Sequence, residues 1–199
     1  MKKEHGNMIN VGYWITKWAG IQPDKTAVIS NGSKYTYRDL NSRINKLSHF
    51  FLHMGMKKGD RVAVLLYNCR QYIEIFFALS KIGGVMVPLN WRLAIPELEF
   101  IMQDSGTDFI VFQDEFLENV KSLRDKIPVK ARVVCVSGKG TNSHDMPSWV
   151  SDYEKSISPF PENEPHPSWS SGDNDPHILM YRSGTTGMPK GAILSHRKT

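Results

Sequence analysis

The chain has 199 residues, of which 40% are hydrophobic and 23% charged, a composition typical of an ordinary globular protein. The formal net charge is +5, and the basic residues are scattered rather than grouped, which argues against a nucleic-acid-binding protein. No uncharged apolar run reaches the length of a membrane span, and no apolar segment follows the first residues as in a secretory signal. Cys69 and Cys135 are far apart and outside any Cys-x-x-Cys pair, which predicts two free thiols and a cytoplasmic location.

Short apolar runs alternate with amphipathic helical patterns, which predicts an α/β fold with a mostly parallel sheet flanked by helices. Asn31-Gly32 predicts a hairpin turn, and Thr36 with Asp39 predicts a capped start for the helix that follows. The predicted elements are, in chain order, a helix over 10–19, strands over 26–30 and 33–36, a helix over 37–54, a strand over 61–67, a helix over 71–82, a strand over 85–88, a helix over 96–104, a strand over 109–112, a helix over 115–126, and strands over 131–136, 177–181 and 192–194.

Composition divides the chain into three stretches. Residues 10–136 form the predicted α/β portion, and residues 177–199 form a predicted hairpin. Between them, residues 137–176 are rich in proline and predict a long connection with one short helix within 149–157. A connection of this length in a compact domain points to a functional or family-specific reason.

A segment rich in glycine and hydroxyl side chains joins the last two predicted strands. Backbone N–H groups beside glycines can form an anion-binding nest, the hydroxyls add donors, and a lysine adds a mobile positive charge. The candidate binding residues are Ser183, Gly184, Thr185, Thr186, Gly187 and Lys190. The segment predicts a site for a polyanion, most simply a nucleotide triphosphate. It differs from the common P-loop, because Pro189 stands where that motif needs glycine and Gly191 stands where it needs Ser or Thr.

The stretch from Tyr181 to His196 closely resembles the phosphate-binding signature of the adenylate-forming enzymes, which include acyl-CoA synthetases, firefly luciferase and peptide-synthetase adenylation domains. The family pattern is Tyr-Thr-Ser-Gly-Thr-Thr-Gly-x-Pro-Lys-Gly, and this sequence departs from it only at Arg182, where a small hydroxyl residue is usual. The sequence of residues 90–93, Asn-Trp-Arg-Leu, is most similar to that of fatty-acid and related acyl-CoA ligases. The resemblance extends over about residues 10–199. Family members run to several hundred residues, so it implies that residues 1–199 are an incomplete N-terminal portion of the acyl-CoA synthetase fold, within the large nucleotide-binding domain and without the C-terminal domain.

The resemblance also implies a function. The implied function is the ATP-dependent activation of a carboxylic acid to acyl-AMP, followed by transfer of the acyl group to CoA. Among carboxylic acids, the resemblance favours a fatty acid. ATP, Mg²⁺ and CoA are the implied substrates and cofactor, and no metal-ligating residue is predicted. The implied catalytic residues, which stabilise phosphate charge, are Lys190, Thr185 and Thr186, and the implied nucleotide-binding residues also include Ser183, Gly184 and Gly187.

Two further expectations follow from the absence of the later family motifs. The 199 residues alone are expected to be inactive, and to self-associate because an incomplete sheet leaves an unpaired edge. The alternative to a ligase is a non-catalytic nucleotide- or partner-binding module of the same fold.

The effect of Arg182 on nucleotide binding depends on where its side chain lies. Its guanidinium could reach a phosphate as a bidentate donor, it could extend into water, or its volume could crowd a turn built of small residues. Crowding, with impaired nucleotide binding, is the favoured expectation.

Other chemical groupings have simpler interpretations. His49 and His53 are four residues apart on a helix but lack a third metal ligand. Asp114, Glu115 and Glu118 are better explained as acids that a helix dipole favours at its start.

Aromatic residues that could line an acyl pocket are more simply explained as core residues; they are Phe76, Phe77, Trp91 and Phe100. Ser195 and His196 are sequence neighbours at a predicted helix start, which is poor geometry for a nucleophile and its base. Helix capping is the more plausible role for Ser195.

Overall fold

The computed structural model describes residues 10–126, 132–138, 146–182 and 188–199. The strands are β1 (Thr26–Ser30), β2 (Ser33–Thr36), β3 (Arg61–Leu65), β4 (Val85–Pro88), β5 (Phe109–Gln113), β6 (Val133–Val136), β7 (Val150–Asp152), β8 (Pro176–Arg182) and β9 (Lys190–Ser195). The helices are α1 (Gly12–Ile21), α2 (Tyr37–His53), α3 (Arg70–Ile82), α4 (Ile95–Asp104), α5 (Leu117–Arg124) and α6 (Tyr153–Ile157). In this described part, no helix is both long and apolar enough to cross a bilayer.

Seven of these strands form one sheet in the order β7-β6-β5-β3-β4-β8-β9. Every neighbouring pair is parallel except β8 and β9, which are antiparallel. Strands β1 and β2 form a separate hairpin. The predicted α/β fold with a mostly parallel sheet flanked by helices is therefore confirmed.

The central strands are buried on both faces, and their side chains alternate between two cores. Val62 and Val64 of β3 pack in the cluster that includes residues of α1, α2, α3 and α6. Ala63 and Leu65 of the same strand pack in the cluster that includes residues of α4 and α5. All four side chains are fully buried. This double burial explains why β3 reads as a continuous apolar run rather than an alternating one.

Local turn and capping signals produce the predicted structures. The backbone N–H of Asp39 donates to Thr36 Oγ1 at 3.1 Å, and the Thr36 N–H donates to Asp39 Oδ2 at 3.0 Å, which closes a capping box at the start of α2. The Thr36 hydroxyl also donates to Asp39 Oδ2 at 2.7 Å, and this bond, together with the one from the Thr36 N–H, lowers the pKa of Asp39. Asn31 and Gly32 both have positive φ, as a two-residue hairpin turn between right-twisted strands requires.

The proline-rich connection contains one more sheet strand than predicted. The sequence predicted only a short helix within 149–157, whereas β7 precedes α6 and pairs in parallel with β6. Strand β7 is three residues long and lies at the edge of the sheet, so it has too few positions to show a periodic pattern.

A buried carboxylate joins three helices. Glu74 of α3 is fully buried and accepts hydrogen bonds from Arg43 Nε at 2.6 Å and from Tyr153 Oη at 2.7 Å. Arg70 Nε lies 3.2 Å from the same carboxylate. Arg43 belongs to α2 and Tyr153 to α6, so the charge network connects the helices that cover one face of the sheet.

Candidate functional site

The candidate site lies where β8 leaves the sheet. In open α/β sheets, ligands bind beyond the carboxyl ends of the parallel strands. Strand β8 runs parallel to β4, so its last residue, Arg182, lies at that edge. Strand β9 returns antiparallel and starts at Lys190, which is exposed. The chain between them carries the predicted phosphate-binding segment.

Of the six predicted binding residues, the structure describes only Lys190. Those outside the described residues are Ser183, Gly184, Thr185, Thr186 and Gly187. Their assigned roles therefore stay predictions. The structure does define both ends of the segment, because Arg182 is the register partner of Lys190 across the antiparallel pair, and Tyr181 is the partner of Gly191.

A hydrogen bond anchors the strand immediately before the segment. The Tyr181 hydroxyl donates to Asp104 Oδ2 at 2.5 Å, at the carboxyl-terminal end of α4. Burial and this bond to Asp104 both raise the pKa of Tyr181. A Cβ atom at Gly191 would lie 3.1 Å from the Tyr181 ring, so a larger residue there would require the ring to shift slightly. Sequence reasoning missed Asp104, because it lies 77 positions before Tyr181 and no local pattern connects the two residues.

Arg182 lies on the opposite face of β8 from Tyr181. Successive side chains on a strand alternate in direction, and Tyr181 is half-buried against α4 whereas Arg182 is exposed. Among the described residues, Arg182 forms no ion pair. The expected crowding stays a prediction, because the turn that it concerns lies outside the described residues.

An aromatic cluster lies at the same edge of the sheet, after β3 and β4. The rings of Tyr67 and Trp91 meet edge to face with centroids 5.1 Å apart, and the Arg92 guanidinium lies 4.3 Å above the Trp91 ring. Trp91 is 39% exposed. The other aromatic residues considered for an acyl pocket pack against the two cores, as predicted; they are Phe76, Phe77 and Phe100. Trp91 is therefore the one member of that group that the structure places at the carboxyl edge of the sheet.

The histidine of the signature is structural. His196 is 1% exposed, and its Nδ1 accepts a hydrogen bond from the Val11 N–H at 3.3 Å. Its ring stacks on His177, with centroids 4.6 Å apart and planes 12° from parallel. Because the Nδ1 lone pair is already used, His196 is not placed to act as a base for Ser195. Ser195 occupies the N-cap position of the short 3₁₀ turn His196–Lys198, as expected, but its side chain makes no capping hydrogen bond.

His177 completes this buried pair. Its Nε2 lies 2.6 Å from Ser80 Oγ, and its Nδ1 lies 3.2 Å from Thr199 Oγ1. Burial, together with the neighbouring His196, lowers the pKa of His177 to about 4. Burial also lowers the pKa of His196. Both rings are therefore neutral at physiological pH.

His49 and His53 make ordinary contacts with the proline-rich connection. His49 contacts the Asn163 carbonyl at 3.0 Å, and the His53 ring packs on Phe160. Within residues 10–126, 132–138, 146–182 and 188–199, no three His, Cys, Asp or Glu side chains are grouped to hold a metal ion.

The cysteines and the acidic group agree with their simpler interpretations. Cys69 and Cys135 are free thiols, and burial raises the pKa of Cys135 to about 12, which makes it unreactive as a nucleophile. Asp114 and Glu115 open a 3₁₀ turn before α5, and Glu118 lies in the first turn of that helix. The predicted helix over 115–126 thus begins as a tighter turn.

Comparison with known proteins agrees with the fold and the signature. The family model described as AMP-binding enzyme matches residues 15–199. A fatty acid–[acyl-carrier-protein] ligase, ScoC, from Streptomyces coeruleorubidus is 35% identical over 176 residues, covering 88% of this chain and 31% of the relative. A feruloyl-CoA synthase from an Amycolatopsis species is 34% identical over 186 residues, covering 94% of this chain and 33% of the relative.

A solved structure shares the whole fold. The anthranilate CoA ligase AuaEII in complex with anthranoyl-AMP superposes with a TM-score of 0.86 at 25% identity, over 99% of this chain and 37% of that one. The chain spans about one third of the length of the curated relatives that it matches. The predicted resemblance to adenylate-forming enzymes is confirmed by the family match, which covers most of the chain. The chain belongs to the AMP-binding enzyme family.

Proposed function

We propose that this chain supplies the phosphate-binding part of an ATP-dependent acid–thiol ligase. The observation that carries the proposal is the signature segment held between β8 and β9 at the carboxyl edge of the sheet, with Lys190 at its end. That edge is where α/β sheets bind nucleotides. The family match over residues 15–199 supports the same assignment.

In the proposed first step, a carboxylate oxygen of the acid attacks the α-phosphorus of ATP. The bond from the α-phosphorus to the bridging oxygen of pyrophosphate breaks, which leaves acyl-AMP and pyrophosphate. Negative charge grows on the departing pyrophosphate, and Lys190 is proposed to stabilise that charge with the hydroxyl and N–H groups of residues 183–187. In the second step, a thiol attacks the acyl carbonyl and AMP leaves.

Mg²⁺ is proposed to enter with ATP as part of the substrate. The described residues offer no group of three metal-ligating side chains, and Mg²⁺ commonly binds substrate phosphates while keeping several waters. In the proposal, phosphate oxygens and water are therefore its main ligands, and this chain's part is to hold the phosphates.

The acid and the thiol acceptor belong to the whole protein. We propose a carboxylic acid as substrate, with a fatty acid first, since ScoC is named as a fatty acid ligase; feruloyl and anthranilate ligases are also similar to this chain. CoA is the proposed thiol, with an acyl-carrier protein as the variant that the name of ScoC suggests. The 199 residues alone are proposed to lack thioester-forming activity, and the free cysteines support a cytoplasmic location.

Isotope exchange between pyrophosphate and ATP tests the proposal. The whole protein would be supplied with matched panels of medium- and long-chain fatty acids and of aromatic acids. Acid-dependent exchange supports the ligase and identifies the class of acid. Binding of ATP with no exchange for any acid would instead support the non-catalytic nucleotide-binding module.

A further inference from the structure

The two ends of the signature segment bring two cations together. Arg182 and Lys190 are register partners at the last rung of the β8–β9 ladder. Directly opposed residues of an antiparallel pair project from the same face, with Cβ atoms about 5 Å apart. The register therefore places one arginine and one lysine directly opposite each other, on one face of the hairpin at the base of the segment.

This face of the hairpin is open. Met180 and its partner Ala192 lie on the same face as the two cations, and Met180 is 46% exposed. The carboxylate of Asp104 is engaged on the other face by Tyr181. In the described part of the chain, neither Arg182 nor Lys190 forms an ion pair.

Two unpaired like charges directly opposite each other destabilise a ladder, and an anion placed between them removes that repulsion. Arginine presents a planar fork that binds two phosphate oxygens at once, while lysine acts as a mobile point charge. We propose that Arg182 and Lys190 form a two-cation site that binds the polyphosphate of ATP. This inference rests on the proposed function, and it makes Arg182 a binding residue at a position where the family signature has a small hydroxyl.

The two-cation site and crowding predict opposite effects of Arg182 on phosphate binding. If the guanidinium binds phosphate, replacing Arg182 by threonine weakens binding of ATP and of inorganic tripolyphosphate. If it crowds the segment, the same change strengthens both. Binding of AMP distinguishes loss of the two-cation site from a general weakening of nucleotide binding, because the single phosphate of AMP can contact fewer of the cations.

Calorimetric titration of the whole protein with Mg-ATP, tripolyphosphate and AMP decides between them. Arg182→Thr is expected to weaken Mg-ATP and tripolyphosphate binding by about ten- to a hundredfold, the usual effect of losing a charged hydrogen bond, and to change AMP binding much less. Arg182→Lys keeps the positive charge but loses the planar guanidinium, and its affinity for Mg-ATP is expected to lie between those of the unmodified protein and Arg182→Thr. Lys34→Thr is the matched control, since it removes one exposed cation from β2, far from the segment in sequence.

Thermal unfolding supplies a second readout. Without ligand, Arg182→Thr is expected to leave the melting temperature unchanged or raise it, because the repulsion is removed. A structural role for Arg182 would instead lower it. Unchanged or tighter ATP binding by Arg182→Thr, with ATP bound normally by the unmodified protein, overturns the two-cation site alone. Failure of the unmodified protein to bind either ATP or tripolyphosphate overturns the proposed function as well.

Discussion

The stacked histidine pair predicts a loss of stability in mildly acidic solution. His177 is fully buried, and its pKa falls from 6.5 to about 4 in the folded chain. In the unfolded chain the same imidazole takes up a proton near its ordinary pKa of about 6.5. Between these two values the unfolded state binds more protons, so the free energy of unfolding must decrease as pH falls through this range.

The size of the effect follows from the shift. For His177 alone, linkage predicts a loss of about 2 kcal/mol between pH 7 and pH 5. His196 adds to the loss, since its pKa is also lowered. The charged groups near the pair are Asp175 and Lys58, which form an ion pair at 2.7 Å and act on His196 in opposite directions.

The window from pH 7 to pH 5 separates the two histidines from the carboxylates whose pKa is lowered in the folded chain. Carboxylates with lowered pKa, such as Asp175 and Glu164, contribute stability that is present above their ordinary pKa values and is lost only at lower pH. Urea unfolding of the 199-residue chain at several pH values would measure the slope. The slope of the unfolding free energy against pH should fall by the equivalent of about one proton in His177→Gln. His53→Gln, at an exposed position on α2, should leave that slope unchanged. A flat profile for the unmodified chain, or an equal slope for His177→Gln, would refute the reasoning.

Three more predictions concern the site, the sheet edge and the buried charge network. Lys190→Ala should slow pyrophosphate exchange by the whole protein roughly ten- to a thousandfold with little change in melting temperature, and an unaltered rate would contradict its assigned role. The 199-residue chain should self-associate through β9, where Ile193 is 67% exposed, and Ile193→Lys should shift sedimentation toward monomer; a monomer at high concentration in the unmodified chain would count against this. Glu74→Gln should lower the free energy of unfolding by about 3 kcal/mol, because Arg43 and Arg70 lose their buried counter-charge, while an unchanged denaturation midpoint would show that the network is dispensable.

The sequence by itself determined the features that depend on neighbours within a few positions. The Asn31-Gly32 turn, the Thr36–Asp39 capping box and the alternation of strands and helices are local, and the structure confirms each of them. The family signature is also continuous in sequence, so it could be recognised without any coordinates.

Only the tertiary structure decided the features that join distant positions. It paired β7 with β6, brought Asp104 to Tyr181, stacked His177 on His196 and placed Arg182 beside Lys190 in the ladder. Each of these depends on strand order or register, which is set by packing of the whole sheet rather than by the residues next to the contact. A single strand sequence contains no record of its partner, and for that reason the pairing of Arg182 with Lys190 could not be predicted from either strand alone.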